Sequence, residues 1–187
     1  MTKRFILIGN KPLRGDYSWI DTEYDKIFHI NKMDNLGNSG RRVSGLYLGA
    51  YPDFSAVKGG RNREYFKEAK EIYMLPIPYR FFWDWSDYIS AEQFAGIKLI
   101  DFDEARRYFG AATTSTVNIL WLLVNGRIEE FKGYEVTLAG LDVEGRAELL
   151  KTGAPWAGTG HAQAGAAEER WLRELIDSGQ IKYLDLE

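Results

Sequence analysis

The sequence predicts an α/β fold: a single Rossmann-like domain over residues 1–187, with a mostly parallel sheet and helices on both of its faces. A short apolar run close to the N-terminus stops abruptly at a glycine, as a buried strand does. Predicted strands and helices alternate through the C-terminal half, which is typical of a parallel sheet. A chain of 187 residues is long enough to bury a core of its own.

The predicted strands are short apolar or β-branched runs that end in polar residues, glycine or proline. In chain order they are "RFILIG" from Arg4, "YDKIFHIN" from Tyr24, "RRVSGLYLGAY" from Arg41, "EIYMLPIPY" from Glu71, "GYEVTLAGLD" from Gly133 and "IKYLDL" from Ile181.

Three segments carry helical patterns. Arg61 to Lys70 is rich in helix formers and charges. "STVNILWLLVNG" from Ser115 has a Ser/Thr start, an apolar interior and an Asn-Gly stop, which predicts a buried helix. "AAEERWLRELIDSG" from Ala166 is amphipathic, with Gly179 at the C-cap position.

Two segments are less regular. The aromatic stretch 80–96 is compatible with either a loop or a short helical cap. Its aromatic side chains at 79–94 would also suit an interface or a platform for a second substrate. Gly153 to Ala167 is rich in glycine and alanine and resembles a mobile loop.

Composition excludes several classes of function. The chain has no cysteine, so disulfides and thiolate metal sites are excluded, and a cytoplasmic location is expected. A net charge of −3 provides no basic field for nucleic acid. No apolar run approaches the ~20 residues of a membrane helix, and the first residues do not have the pattern of a signal peptide.

Polar residues follow the predicted strands at the edge where open α/β sheets bind their ligands. They are Gly9 with Asn10, Asn31, Gly49, the hydroxyl run Thr113 to Thr116 at a helix start, and Gly140 with Asp142. The sequence therefore predicts one pocket at this edge.

The turn Gly9-Asn10-Lys11-Pro12 is an incomplete nucleotide motif. The next glycine is Gly15, so the three-glycine fingerprint of dinucleotide sites is absent. No Gly-Lys-Ser/Thr exists either, which excludes a Walker-type phosphate loop. By itself the segment is typical of a strand-ending turn.

The hydroxyl run favours an anion site, because free backbone N–H groups and the helix dipole attract phosphate or carboxylate. An N-cap with spare hydroxyls is the alternative. His161 lies in a glycine-rich loop, where it would be either a general base or an exposed loop histidine. His29 lies within a predicted strand and is expected to be structural.

The pairs Asp101/Asp103 and Asp84/Asp87 could hold Mg²⁺, but neighbouring aspartates are more typical of a solvated surface. No metal site and no cofactor is therefore expected.

These motifs occur in an order that resembles a known family. A strand precedes "IGNKP", and a second strand ends in "HIN". "TTSTVNILWLL" opens a helix, "YEVTLAGLD" follows as a strand, and "GH" precedes "AEERWLRELIDSGQIKYL". This order resembles sialyltransferase-like glycosyltransferases, especially the bacterial family that uses CMP-sialic acid. The resemblance covers about the first 50 and the last 75 residues.

The resemblance implies an inverting, metal-independent transfer of a CMP-activated sugar acid to a glycan acceptor in bacterial glycan biosynthesis. A lipid-linked acceptor would bring the protein to the membrane surface. His161 would be the general base. The implied donor-binding residues are Gly9, Asn10, Lys11, Asn31, Thr114, Ser115, Thr116 and Asp142.

The sequence departs from the family pattern in three places. Lys11 and Thr116 stand where the family has glycine. The family's lid tyrosines, which support the departing phosphate, have no counterpart between Asp142 and His161. Arg146, Lys151 and Trp156 are the candidate substitutes. A non-catalytic nucleotide- or glycan-binding protein and a nucleotide-sugar hydrolase therefore remain alternatives.

Overall fold

The computed structural model describes residues 2–49, 63–75, 85–155, 157 and 159–186. The strands are β1 (Arg4–Ile8), β2 (Lys26–Ile30), β3 (Gly45–Leu48), β4 (Glu71–Met74), β5 (Lys98–Leu99), β6 (Glu135–Ala139) and β7 (Lys182–Leu184). The α-helices are α1 (Ile20–Glu23), α2 (Ala91–Ala95), α3 (Asp103–Phe109), α4 (Ser115–Val124), α5 (Arg146–Thr152) and α6 (Gly165–Asp177). The described residues also include 3₁₀ turns at Arg63–Glu68, Trp85–Asp87, Glu129–Phe131 and Thr159–His161.

The strands form one seven-stranded sheet in the order β5-β4-β3-β2-β1-β6-β7. Every neighbouring pair of these strands is parallel. The chain builds outwards from β1 to β5 and then returns to place β6 on the other side of β1. The strand order therefore reverses between β1 and β6, where a Rossmann-like sheet opens a crevice for ligands. The predicted fold class is confirmed.

Alternating side chains of β1 face the two sides of the sheet. Phe5 and Leu7 belong to a large apolar cluster that includes Val117 of α4 and Leu172 of α6. Ile6 and Ile8 belong to a second cluster with Ile20 of α1. Both faces of the central strand are therefore covered, which explains why "FILI" is continuously apolar rather than alternating.

An ionic cluster lies at the opposite, amino edge of the sheet. Glu71, the first residue of β4, pairs with Lys26 and Lys98, the first residues of β2 and β5. Lys98 and the hydroxyl of Tyr73 both bind Glu130. Burial and the hydrogen bond to Glu130 raise the pKa of Tyr73. This cluster joins β2, β4 and β5 at the amino edge, on the other side of the sheet from the carboxyl edge.

Several predicted elements are shorter than the sequence suggested. The observed strands cover only the middle part of the predicted runs for β2, β3, β4 and β6. Residues 50–51 and 76–79 of those runs lie outside the described residues. The helix expected over Arg61 to Lys70 is, where described, a 3₁₀ turn that ends just before β4 starts. No helix in the described part of the chain is long and apolar enough to cross a membrane.

The segment Gly153 to Ala167 was predicted to be a loop, and this prediction is partly wrong. It contains the 3₁₀ turn Thr159–His161, and α6 already begins at Gly165. Helix α5 was missed, although "RAELLKT" is a good helix-forming run. The glycines that bound it, Gly145 and Gly153, both have positive φ angles and so define its ends.

Candidate functional site

A cleft opens at the carboxyl edge of the sheet, next to the reversal between β1 and β6. It encloses a cavity of about 150 Å³. Loops after three strands, the start of α4, helix α5 and the turn before α6 supply its walls. The lining residues are Asn10, Lys11, Ile30, Asn31, Thr114, Ser115, Thr116, Gly140, Leu141, Asp142, Arg146, Leu149, Ala157 and His161. The lining includes His161 and all of the implied donor-binding residues except Gly9; Gly49 and Thr113, which were also expected at this edge, are not part of it.

Gly9 is not part of the cavity lining and lies where the end of β1 meets the end of β6. Its N–H donates to the Ala139 carbonyl at 2.9 Å, and the N–H of Lys11 donates to the Gly140 carbonyl at 2.9 Å. A Cβ atom on Gly9 would lie 2.3 Å from the Gly140 oxygen. Only glycine therefore fits where the ends of β1 and β6 meet.

Asn35 holds the loop that follows β1. Its side-chain N–H groups donate to the carbonyls of Gly9 at 2.7 Å and Lys11 at 2.8 Å, and its Oδ1 accepts the N–H of Leu13 at 2.9 Å. The side chain is buried. Asn35 thus satisfies backbone groups that would otherwise lack partners, and it presents Asn10 and Lys11 to the cleft.

Lys11 and Asp142 form an ion pair across the cleft. The Lys11 Nζ lies 3.0 Å from Asp142 Oδ1 and 3.9 Å from Asp185 Oδ1. The side chains of Lys11 and Asp142 are 27% and 21% exposed, so water and ligands can reach the pair. An exposed pair of this kind contributes little stability and can exchange partners.

Asn31 joins the loop after β2 to the loop after β3 and to α4. Its φ of 47° places it in the left-handed region, which asparagine tolerates. Its Oδ1 accepts the Gly49 N–H at 2.9 Å, and its Nδ2 lies 3.4 Å from Ser115 Oγ. The Ser115 hydroxyl, as an acceptor here, keeps its own proton for another partner.

The hydroxyl proton of Thr114 is already used in a hydrogen bond within the protein. Its Oγ1 donates to Glu168 Oε2 at 3.0 Å and accepts from Arg146 Nη2 at 2.6 Å. Its backbone N–H donates to Glu168 Oε1 at 2.7 Å. Of the hydroxyls at the start of α4, Ser115 is therefore better placed than Thr114 to donate to a ligand.

Arg146 and Glu168 form a buried ion pair beneath the cleft. Their side chains are 2% and 0% exposed, and Arg146 Nε donates to Glu168 Oε2 at 2.7 Å. Arg146 Nη1 also donates to the Asp142 carbonyl at 3.1 Å. The guanidinium thus uses three of the five N–H groups that an arginine carries. Because the pair is enclosed, its geometry is fixed.

His161 reaches back to the segment before α4. Its Nδ1 lies 3.1 Å from the Ala112 carbonyl oxygen. A carbonyl oxygen has no proton to donate, so this hydrogen bond requires the proton on Nδ1. Nε2 of the neutral ring then carries the free lone pair, which is the arrangement of a general base.

Other candidate residues have structural roles or lie elsewhere. His29 is buried, and burial lowers its pKa to about 4, so the ring is neutral in the core. Asp101 caps the N–H of Asp103 at 2.8 Å. Lys151 is exposed on α5 beside Glu148. Among the described residues, no group of three or more His, Cys, Asp and Glu could hold a metal ion; Asp84 and Trp156 lie outside those residues.

Several solved structures are similar to the chain, among them the following three. A variant of the sialyltransferase CST-II in complex with CMP matches with a TM-score of 0.49 and 16% identity over 100% of this chain and 81% of that one. CstII from Campylobacter jejuni with the substrate analogue CMP-3FNeuAc gives 0.47 and 17% over 100% and 81%. A mutant of the alpha-2,3/8-sialyltransferase CstII gives 0.47 and 15% over 98% and 81%.

No family model and no curated protein matches the chain. These three structures are named as sialyltransferases. Identities of 15–17% do not show a shared activity.

Sequence reasoning missed Asn35 and Glu168. Asn35 is one of several polar residues after β2, and nothing local marks it as buried. Glu168 did carry a signal, because positions 168, 171, 172 and 175 form one helical face. Trp171, Leu172 and Leu175 on that face are buried in the core. A carboxylate among them requires a buried partner.

Proposed function

We propose that the protein is a metal-independent inverting glycosyltransferase, with His161 as general base. The donor is a CMP-activated sugar acid, such as sialic acid, and the acceptor is a glycan. The single observation that carries this proposal is the His161–Ala112 hydrogen bond of 3.1 Å at the cleft wall, which leaves Nε2 as the proton acceptor.

The proposed reaction is one displacement. His161 Nε2 takes the proton from an acceptor hydroxyl, and that oxygen bonds to the anomeric carbon. The bond from this carbon to the donor's phosphate oxygen breaks, and CMP leaves with the electron pair. Attack opposite the leaving group inverts the anomeric configuration. One proton and one sugar are transferred, and no oxidant or reductant is needed.

Three features of the cleft would favour an anionic donor. Lys11 can exchange Asp142 for a phosphate oxygen because the pair is partly exposed. Ser115 can donate its hydroxyl proton, and the N-terminus of α4 adds a favourable dipole. Asn10, Asn31 and Thr116 also line the cleft, and we assign them to the nucleotide and donor sugar.

Metal independence follows from the leaving group in this proposal. CMP departs with a single phosphate, whose charge Lys11 and the start of α4 can meet without a divalent cation. Transfer should therefore proceed at the same rate in EDTA as in Mg²⁺. Dependence on added metal would contradict this part of the proposal.

Donor binding would require the cleft to widen. Its cavity of about 150 Å³ is smaller than the roughly 300 Å³ at which small-molecule sites usually begin. The Lys11 side chain crosses the cleft to Asp142 and is flexible, so its movement is the simplest way to admit a nucleotide.

The proposal is tested by titrating CMP, CDP and cytidine calorimetrically and then measuring CMP release from CMP-sialic acid with mixed glycan acceptors. CMP should bind, and the His161→Ala variant should bind CMP but release none from the donor. Absence of CMP binding to the wild-type protein would refute the proposal.

A non-catalytic nucleotide- or glycan-binding protein is the second candidate. The absence of tyrosine from the sequence between Asp142 and His161 favours it, because the departing phosphate then lacks the family's lid groups. This candidate predicts equal CMP binding by the wild-type protein and the His161→Ala variant, with no sugar transfer by either. A lipid-linked acceptor and a cytoplasmic location remain proposals that accompany the enzyme.

A further inference from the structure

Two hydrogen bonds join the same pair of chain segments on one side of the cleft. His161 Nδ1 donates to the Ala112 carbonyl at 3.1 Å. Two residues further along, the Thr114 N–H donates to Glu168 Oε1 at 2.7 Å. One segment leads into α4, and the other leads into α6. The two bonds therefore depend on the same relative placement of these segments.

Backbone hydrogen bonds link successive turns of the segment from Thr159 to Glu168. The Ala162 N–H donates to the Thr159 carbonyl at 3.1 Å, and the Ala164 N–H donates to the His161 carbonyl at 3.0 Å. The Glu168 N–H then donates to the Ala164 carbonyl at 2.8 Å. His161 and Glu168 are thus held at a set spacing on one short helical stretch.

The Glu168 carboxylate is itself held rigidly. Both oxygens accept hydrogen bonds from Thr114, and Oε2 also accepts from Arg146 Nε at 2.7 Å. Glu168 is fully buried and Arg146 is 1% exposed. In such an enclosed site the carboxylate has no water to replace a lost partner, so its contacts define one geometry.

We propose that Glu168 is a positioning residue that sets the tautomer of His161. By holding the Thr114 N–H, Glu168 keeps the Ala112 carbonyl under Nδ1 and so keeps the lone pair on Nε2. The term "base" for His161 rests on the proposed function, but the tautomer is a property of the ligand-free protein and can be measured without any substrate.

Glu168→Gln is the informative variant. A carboxylate accepts at both oxygens, whereas an amide has one accepting oxygen and one donating nitrogen. Glutamine can therefore satisfy either the Thr114 N–H or the Arg146 Nε–H, and the other contact becomes a clash of two donors. The variant keeps the size of the side chain while it breaks the geometry.

Thr114→Pro removes the bond between the Thr114 N–H and Glu168 by changing Thr114 instead of Glu168. Thr114 has φ of −64° and ψ of 155°, which proline adopts without strain. Proline lacks the N–H and the hydroxyl through which Thr114 contacts Glu168 and Arg146, and the variant leaves Glu168 in place. It keeps the proposal testable if Glu168→Gln folds poorly. Glu130→Gln, in the ionic cluster at the opposite sheet edge, is the matched control.

The experiment is ¹⁵N NMR of the histidine rings in the full-length, ligand-free protein near pH 8. The chain has two histidines, and buried His29 serves as an internal reference for an intact core. The Nδ1–H form of His161 should predominate in the wild type and in Glu130→Gln. It should give way to a mixture with the Nε2–H form in Glu168→Gln and Thr114→Pro.

Unchanged His161 signals in Glu168→Gln and Thr114→Pro would overturn the proposal, as would an equal change in Glu130→Gln. CMP titration of the same samples keeps the two proposals separate. If the wild type fails to bind CMP, the proposed function fails while the tautomer result stands. If CMP binds and the tautomer does not respond, only the role of Glu168 fails.

Discussion

Gly9 and Gly140 pack backbone against backbone where β1 and β6 end. A Cβ on Gly9 would lie 2.3 Å from the Gly140 oxygen, and a Cβ on Gly140 would lie 2.9 Å from the Gly9 oxygen. This contact sets the distance between the loops that carry Lys11 and Asp142. The width of the cleft at the strand reversal therefore depends on the two glycines.

Replacing Gly9 by alanine should force the two strand ends apart. Overpacking of this kind typically costs about 1–3 kcal/mol, and here the clash is with backbone, which cannot rotate away. We expect urea unfolding to show a loss in this range and CMP affinity to fall as well. Gly160→Ala, where among the described residues no heavy atom beyond the chain neighbours lies within 4 Å of the added Cβ, should leave stability unchanged. Equal stability of the two variants would contradict this account.

Replacing Asn35 should lower the stability of the protein, whereas replacing Asn10 should lower its affinity for CMP. Asn35→Ala leaves the Leu13 N–H and the carbonyls of Gly9 and Lys11 without their partner, which should cost about 2–4 kcal/mol in urea unfolding. Within the described part of the chain, the Asn10 side chain makes one long hydrogen bond: its Oδ1 accepts the Asp34 N–H at 3.4 Å. Asn10→Ala should therefore keep its stability and lose CMP affinity. A destabilised Asn10→Ala variant would show that Asn10 is structural.

Lys11→Met should distinguish a phosphate contact from a blocking side chain. If Lys11 meets the phosphate, CMP affinity should fall by about 10- to 150-fold while cytidine affinity is unchanged, since a hydrogen bond to a charged group is worth about 1.5–3 kcal/mol. Parallel calorimetric titrations measure both. Lys151→Met, exposed on α5, is the control. Tighter binding of both ligands to Lys11→Met would show that Lys11 obstructs the site.

His29 should make stability depend on pH. Burial lowers its pKa from 6.5 to about 4, so the folded state binds this proton less readily than the unfolded state. Above pH 6.5 the neutral His29 does not lower the free energy of unfolding. As the pH falls from 6.5 towards 4, this free energy decreases by about 3 kcal/mol, at 1.36 kcal/mol per pKa unit. Urea unfolding of His29→Leu across this interval should give a flatter profile. An identical slope in both proteins would refute the assignment.

The grouping of the site's polar residues around one cleft could be predicted from the sequence because they follow a simple rule. Parallel strands end at one edge, so Asn10, Asn31 and Asp142 had to lie near one another once the strands were recognised. The hydroxyls of Ser115 and Thr116 joined them because α4 starts at the same edge. The fold class followed from the same alternation of strands and helices.

Other features depend on contacts between distant segments, which a local pattern cannot reveal. Gly9 was expected among the donor-binding residues, and the structure packs it against the Gly140 carbonyl. Arg146 was considered a substitute for a lid tyrosine, whereas the structure buries it against Glu168. Lys11 stands where the family has glycine and pairs with Asp142, an interaction that no glycine could make.

The most direct test of the central claim is a crystal structure of the protein soaked with CMP. We predict CMP in the cleft between β1 and β6, with its phosphate within hydrogen-bonding distance of Lys11 or Ser115 and its leaving oxygen facing the His161 side of the cleft. CMP bound outside this cleft, or an empty cleft at saturating CMP, would contradict the account.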